Sequence, residues 1–318
     1  MATQPAIHIQ GLTKRYAKTD RPALDHLTLQ VNKGEIFGYL GPNGAGKTTT
    51  IRMMLDLIRP TEGSVALLGM DGQRDSVALH KRIGFLPGEL SLWQNLTGRD
   101  VLNYLSRLRG DVDMRYVDQL AERLALDLSK SVRSYSTGNR RKIGLVIALM
   151  GKPELLILDE PTSGLDPLVQ QTFNQMMLEA QAEGRTVFLS SHILSEVQAI
   201  CERVGILRDG QLKAVEKVSD LTRVQVHHVR ISFHQAVNPQ RLANVPGVSE
   251  IGAEDKALKF TLNGDLDPVL RAISDEYIVD IKSEEPSLEE IFLSFYGNGS
   301  NAHREPSVNG RPAKELVR

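Results

Sequence analysis

One cysteine and one tryptophan occur among 318 residues, and aromatic side chains make up only 5% of the chain. A lone thiol, Cys201, cannot close an internal disulfide, so packing and hydrogen bonds must hold the fold. Cys201 falls in the apolar pattern of a helix after His192, which gives it a packing role. Charge of one sign is missing too. The 38 basic residues nearly balance 39 acidic ones, leaving −1, so there is no electrostatic case for a nucleic-acid partner. No apolar run nears the length of about 20 residues that spans a bilayer. The start of the chain, Met1-Ala2-Thr3-Gln4-Pro5, lacks the basic and apolar regions of a secretion signal. A cytoplasmic location is expected, and any role in transport would need a separate membrane chain.

What is present begins with glycine. Gly41, Pro42, Asn43, Gly44, Ala45, Gly46, Lys47 and Thr48 fit G-x-x-x-x-G-K-[ST] at every fixed position, and Thr49 follows. Glu35 to Leu40 before this loop reads as a buried strand. After it, Ile51, Met54, Leu55 and Ile58 recur at the spacing of one helix face. Strand, glycine loop and helix together make a phosphate cradle, in which backbone N–H groups and the helix N-terminus meet the anion. Lys47 adds a point charge for the β- and γ-phosphates, and the Thr48 hydroxyl can ligate Mg²⁺. The expected ligands are therefore ATP and Mg²⁺.

A second constellation indicates what happens to the triphosphate. The apolar run Leu155 to Leu158 suits a strand of a parallel sheet covered on both faces, and Asp159 and Glu160 follow at its carboxyl end. Asp159 can hold the metal, while Glu160 can orient or deprotonate the attacking water. Acids at an ordinary helix start are the plain alternative. Beside a phosphate loop, hydrolysis is the preferred reading.

Further motifs carry a family resemblance. Tyr135-Ser136-Thr137-Gly138-Asn139 precedes an apolar helix from Ile143 to Met150 and resembles the L-S-G-G-Q signature of ATP-binding cassette proteins. It keeps the serine and the second glycine. Ser163-Gly164-Leu165-Asp166 looks like the family's D-loop, and His192 after Thr186 to Ser191 looks like its switch histidine. Tyr16 matches the aromatic that stacks on adenine. The resemblance implies an ATPase in which Ser136 and Gly138 face the nucleotide of a second cassette, giving a head-to-tail homodimer with Asp166 at the shared site. It adds His192 to Glu160 and Lys47 as catalytic residues. Arg140, Arg141 and Lys142 lie near the signature helix start, where cations oppose the dipole; solvent exposure is the expected relief.

One departure concerns the Q-loop. Ile83 to Glu89 resembles it, but position 88 carries glycine where the family has glutamine, so Glu89 becomes the candidate metal contact. Trp93 follows in the segment that, by the resemblance, faces the membrane partner, although core burial is the commoner fate of a lone tryptophan and is the expectation here.

The resemblance implies a P-loop α/β cassette over residues 1–218, with a parallel sheet core, an antiparallel β part and a helical subdomain at about 86–150. Val101, Leu105 and Leu108 form one helical stripe there, and Leu120, Leu124 and Leu126 mark the next segment. Arg208 to Gln211 reads as a turn between short strands. Residues 219–298 have another rhythm. Val229, Ile231 and Phe233 alternate, as do Leu258, Phe260 and Leu262, with shorter strands at Val248–Ile251 and Ile278–Ile281. Helical segments near Pro239–Ala243 and Pro268–Ser274 complete a β-α-β-β-α-β order, a small α+β unit of ferredoxin-like type. Ser287 and Glu290 form a capping box for a last helix with Leu288, Ile291, Phe292 and Phe295 on one face. Residues 299–318 are expected to be disordered.

The C-terminal extension resembles exporter cassettes of the drug- and antibiotic-efflux branch, which work with a separate polytopic permease at the cytoplasmic face of the bacterial membrane. A soluble cassette acting on ribosomes or DNA is the alternative. One cassette, and a stretch from Lys47 to Asp159 too short for a long coiled coil, favour the exporter. A regulator without turnover is a third reading, disfavoured by Glu160 and His192.

Overall fold

The computed structural model describes residues 4–17, 21–110, 112–221 and 226–284. The expected last helix with Ser287 and Glu290, and the tail at 299–318, lie outside them. The chain forms two compact units, Met1–Asp220 and Leu221–Arg318.

The first unit runs β1 (Ile7–Lys14), β2 (Leu24–Val31), β3 (Ile36–Leu40), α1 (Lys47–Met54), β4 (Glu62–Leu67), β5 (Met70–Asp71), α2 (Ser76–Arg82) and β6 (Ile83–Leu86). Then come α3 (Gly98–Arg109), α4 (Met114–Arg123), α5 (Thr137–Leu149), β7 (Leu155–Asp159), α6 (Pro167–Ala182) and β8 (Thr186–Ser191). It continues with α7 (Leu194–Ile200), β9 (Arg203–Arg208), β10 (Gln211–Lys217) and α8 (Val218–Leu221).

Two sheets divide the strands. β2, β1, β4 and β5 form an antiparallel sheet in that order. β10-β9-β3-β8-β7-β6 is the nucleotide-type sheet, parallel from β9 to β6 with an antiparallel β10 at its edge. Every residue of β3, β7 and β8 is buried, which explains why these strands read as continuous apolar runs without alternation. Phe188 sits at the centre of this core, stacked on Phe37 at 6.0 Å and tilted against Tyr39 at 5.2 Å.

The helical part is pinned by its caps. Thr97 and Asp100 form a reciprocal capping box on α3, and Asp113 caps α4. α5 lies against β6, where a side-chain carbon on Gly144 would come within 2.6 Å of Leu86 and 2.8 Å of Leu90. Small size at 144 thus permits close approach.

Three expectations need correction. α1 stops at Met54, short of Ile58, because Asp56 turns left-handed with φ 56°. The buried stripe of α3 is Val101 and Leu102; Leu108 is 67% exposed, since the carboxyl half of that helix leaves the core. Pro239–Leu242 is a 3₁₀ turn rather than an α-helix, closed by i→i+3 bonds to Asn238 and Gln240.

The second unit contains β11 (Val226–Phe233), that turn, β12 (Val248–Glu254), β13 (Ala257–Asn263), α9 (Asp267–Ala272) and β14 (Ile278–Glu284). The sheet order is β12-β13-β11-β14, antiparallel throughout. Its apolar face packs Val229, Ile231 and Phe233 on Leu258, Phe260, Leu262, Val269 and Ile273. Ile231 has no exposed surface. Ile231→Ala should cost about 2–5 kcal/mol of the second unit's stability, read by circular dichroism during urea unfolding. A change of a few tenths would mean that β11 is not at the centre of that core.

Candidate nucleotide site

The site is assembled at the carboxyl ends of β3, β7 and β8, where parallel sheets leave room for ligands. β3 delivers the chain into Gly41–Gly46, and Gly46 closes the loop in left-handed conformation (φ 109°, ψ 4°) directly before α1. A side chain there would be strained and would also stand 2.7 Å from the Ala23 carbonyl oxygen. The Thr50 hydroxyl donates to Gly46 O at 3.0 Å and lies 3.2 Å from the Tyr39 hydroxyl, anchoring the first turn to the core. The result is a hollow of about 220 Å³ lined by Pro42, Asn43, Gly44, Gly46, Lys47, Thr48, Thr49, Ala23 and Glu160.

Lys47 is 6% exposed. Its ammonium donates to Gly41 O at 2.6 Å and Pro42 O at 3.3 Å and pairs with Glu160 Oε1 at 3.2 Å. Asp159 is held from both sides. Its Oδ2 accepts from the Thr48 hydroxyl at 2.8 Å and its Oδ1 from the Ser190 hydroxyl at 2.5 Å. Glu160 has φ 51°, uncommon for a non-glycine residue. Its N–H is shared between Ser190 O at 3.2 Å and Ser190 Oγ at 3.1 Å. The Glu160 carboxylate lies between Lys47 and His192, with Oε2 2.8 Å from His192 Nδ1. Lys47, Glu160 and His192 therefore form one continuous polar chain, with His192 partly open to water.

The donor chemistry beside the loop suits a divalent metal. Thr48 and Asp159 put hard oxygen donors side by side, and no cluster of three or more histidine, cysteine or acidic side chains occurs among the described residues. Two protein oxygens suit Mg²⁺, which keeps several waters and takes phosphate oxygens for the rest. The residues fit that ion.

Other expected site residues stand apart from the hollow. Tyr16 is 42% exposed, with the Lys14 ammonium 5.3 Å from its ring centre. Ser136 caps α5 by accepting the Asn139 N–H at 3.2 Å. Gly138 packs against the D-loop, where a side-chain carbon would come within 2.8 Å of Gly164 O. Asp166 caps α6, accepting from the Val169 N–H at 3.0 Å.

Two readings meet a different structure. Glu89 is exposed and lines a hollow with Leu90, Gln94 and Arg140, not the one lined by Lys47 and Thr48. Gly88 does not have a positive φ. What matters is space, because a side-chain carbon at 88 would sit 3.1 Å from Asp159 Oδ2. The second correction concerns the basic residues of α5. Arg140 is exposed, but Arg141 and Lys142 are 6% and 8% exposed. Arg141 is satisfied by main-chain carbonyls: Nη1 donates to Pro87 O at 2.7 Å and Gly88 O at 3.2 Å, and Nη2 to Asp159 O at 3.1 Å and to Glu160 O. Burial pushes its guanidinium pKa down, against the nearby Asp159 and Glu160 carboxylates. Ser190 also escaped sequence reasoning. Its signal was a hydroxyl inside an otherwise apolar buried strand.

The profile of the ABC transporter family matches residues 24–163. The bacitracin transport ATP-binding protein BcrA of Enterococcus faecalis is 31% identical over 312 residues, covering 95% of this chain and 100% of that protein. The chain belongs to the ATP-binding cassette family. BcrA of Bacillus licheniformis is 33% identical over 315 residues, covering 92% and 98%. A solved ATP-binding subunit of an ABC transporter superposes with a TM-score of 0.64 at 29% identity, covering 69% of this chain and 92% of that one. A dimeric cassette bound to ADP and phosphate shares the fold, with a TM-score of 0.61 at 24% identity, over 67% of this chain and 98% of that one. This cassette is an ATP-hydrolysing subunit of a transporter, and none of its described helices is long and apolar enough to cross a membrane.

Two variants follow from the geometry. Ser190→Ala removes one of the two hydroxyls on Asp159 and a partner of the Glu160 N–H, so turnover should fall at least about tenfold while the protein stays folded. Unchanged kcat would show that Thr48 alone orients Asp159. Glu89→Ala should leave the Mg²⁺ dependence of turnover superimposable on the wild type; a raised half-saturating concentration would restore Glu89 as a metal contact.

Proposed function

We propose that the protein powers an exporter from the cytoplasmic face of the bacterial membrane, seated on a separate polytopic permease. Two copies pair head to tail with ATP between them. The observation that carries the hydrolytic half is the Glu160 carboxylate, positioned between Lys47 and His192.

In this reading the backbone N–H groups of Gly44 to Thr48 and the start of α1 receive the phosphates. Lys47 turns from its loop carbonyls to the β- and γ-oxygens. Thr48 and Asp159 would hold Mg²⁺, whose charge offsets that of the phosphates. Glu160 Oε2 accepts a proton from water as the water oxygen bonds to the γ-phosphorus and the bond to the bridging oxygen breaks. His192 holds the opposite side of the γ-phosphate and, through its 2.8 Å contact, fixes the Glu160 rotamer. ADP and phosphate leave, and the proton returns to solvent.

Tyr16 would stack on adenine. Ser136 and Gly138 would cap the γ-phosphate of the second copy, with Asp166 beside that junction; the support is that Ser136 lies exposed at the start of α5. The export reading draws on the two bacitracin transport relatives, whose similarity runs through the second unit as well. A phospholipid-transporting ATPase of Homo sapiens, ABCA7, is also 33% identical over 306 residues, covering 90% of this chain but 14% of that protein. A drug-, antibiotic- or lipid-like cargo is consistent with both.

Glu160→Gln should retain ATP binding, lose turnover by on the order of 10²-fold or more, and accumulate an ATP-bound dimer in size-exclusion chromatography. Wild-type turnover would remove Glu160 from the base role. Mixing Ser136→Ala with Lys47→Ala chains tests the shared site. The heterodimer carries both defects in one site and none in the other, so activity above either variant alone is expected, whereas no recovery contradicts sharing.

A further inference from the structure

Arg141 is buried, charged and absent from the hydrolytic scheme above. Its acceptors are neutral, and they come from two separate segments: Pro87 and Gly88 in the bend after β6, and Asp159 and Glu160 at the end of β7. Taking a cation out of water is costly, and a residue serving only to fill space between α5 and the sheet would be apolar. A guanidinium, however, offers a planar fork of five N–H donors. Here two of its nitrogens each meet a pair of adjacent carbonyls. The side chain is a three-way tie between the signature helix, the Q-loop bend and the catalytic strand.

The tie ends on a peptide whose conformation needs enforcing. Glu160 is left-handed, and such a residue persists only when its surroundings over-determine it. Ser190 holds its N–H, and Arg141 holds its C=O. Both flanks of Glu160 are thereby fixed, and the side chain is aimed at Lys47 and His192. Meanwhile Gly88 supplies no side chain to the site, so the Q-loop bend is joined to the catalytic strand through its carbonyls and this arginine.

We infer that Arg141 is a positioning residue for Glu160, locking the left-handed Glu160 peptide to the Q-loop bend and to the amino-terminal half of the signature helix. This inference rests on the reading of Glu160 as the base. The hydrogen bonds of Arg141 run to main-chain carbonyls, and through them it sets where the Glu160 carboxylate stands.

Arg141→Lys keeps the charge but gathers its donors on one nitrogen, which cannot serve four carbonyls in two segments. For the full chain, kcat for ATP should fall by on the order of 10²-fold, the scale of a 1 Å misplacement of a reacting group. The Kd for ATP without metal should stay at its wild-type value, while the melting temperature should fall by only a few degrees, leaving the protein folded at the assay temperature. In Arg141→Ala, millimolar guanidinium chloride should recover part of kcat, and ammonium chloride should not. In a Glu160→Gln background, Arg141→Lys should cause no further loss, because the group it positions is already disabled. Wild-type kcat in Arg141→Lys, equal recovery by ammonium, or an independent loss in the Glu160→Gln background would each overturn the inference. If Arg141→Ala does not fold, Arg141→Lys and the double-variant comparison decide. Glu160→Gln alone separates the two claims: inactive Glu160→Gln with active Arg141→Lys removes only the role of Arg141, whereas active Glu160→Gln removes the base itself.

Discussion

A lysine ammonium buried at the first residue of a helix is the constraint from which the rest of the site follows. The helix N-terminus repels a cation, and water is nearly absent around Lys47. Oxygen atoms must therefore surround it. The loop curls back so that Gly41 O and Pro42 O accept from it, and the neighbouring strand contributes the Glu160 carboxylate. For that curl, Gly46 must be left-handed, and Gly41 must pass against the Leu207 carbonyl with no side chain between. For the carboxylate to arrive, β7 must run parallel to β8, which runs parallel to β3. Sheet order and loop chemistry are consequences of one placement.

A second set of contacts converts that placement into an ordered site. Asp159 and Glu160 are adjacent in sequence yet face different tasks, since one carboxylate turns to Thr48 and the other to Lys47 and His192. Successive residues of a strand point to opposite faces, which alone would separate them completely. The left-handed turn at Glu160 brings the second carboxylate back toward the loop. Ser190 serves both, with its hydroxyl donating to Asp159 and accepting from the Glu160 N–H. The accessory unit shows the opposite economy: its alternating strands bury one face and leave Arg230, Lys259 and Lys282 on the other side of the sheet.

Much of this was legible in the chain because local signals and tertiary structure agree. Fully buried strands gave unbroken apolar runs at Leu155 to Leu158 and Val187 to Leu189, and half-buried strands gave the alternation at Val229, Ile231 and Phe233. The phosphate loop was legible because backbone geometry restricts its residue types. Burial of Arg141 was not, because a basic triplet at a helix start looks solvated and its carbonyl acceptors lie 18 to 54 positions away. Nor was the meaning of Gly88. A glycine in sequence does not say whether it serves an unusual φ or a close neighbour, and here Asp159 is the neighbour. Leu108 misled for a related reason: helical spacing identifies a face but not where along the helix the core ends.

The left-handed backbone of Glu160 has a further consequence, for how this protein can change. A non-glycine residue in that conformation costs roughly 1–2 kcal/mol, the same size as many whole side-chain contacts. Selection for thermal robustness alone would favour glycine at 160, while selection for turnover retains the acid. The two pressures oppose each other at this position. Accumulated stabilising substitutions elsewhere, in either unit's core, are then what allow a costly active-site geometry to persist across diverging sequences.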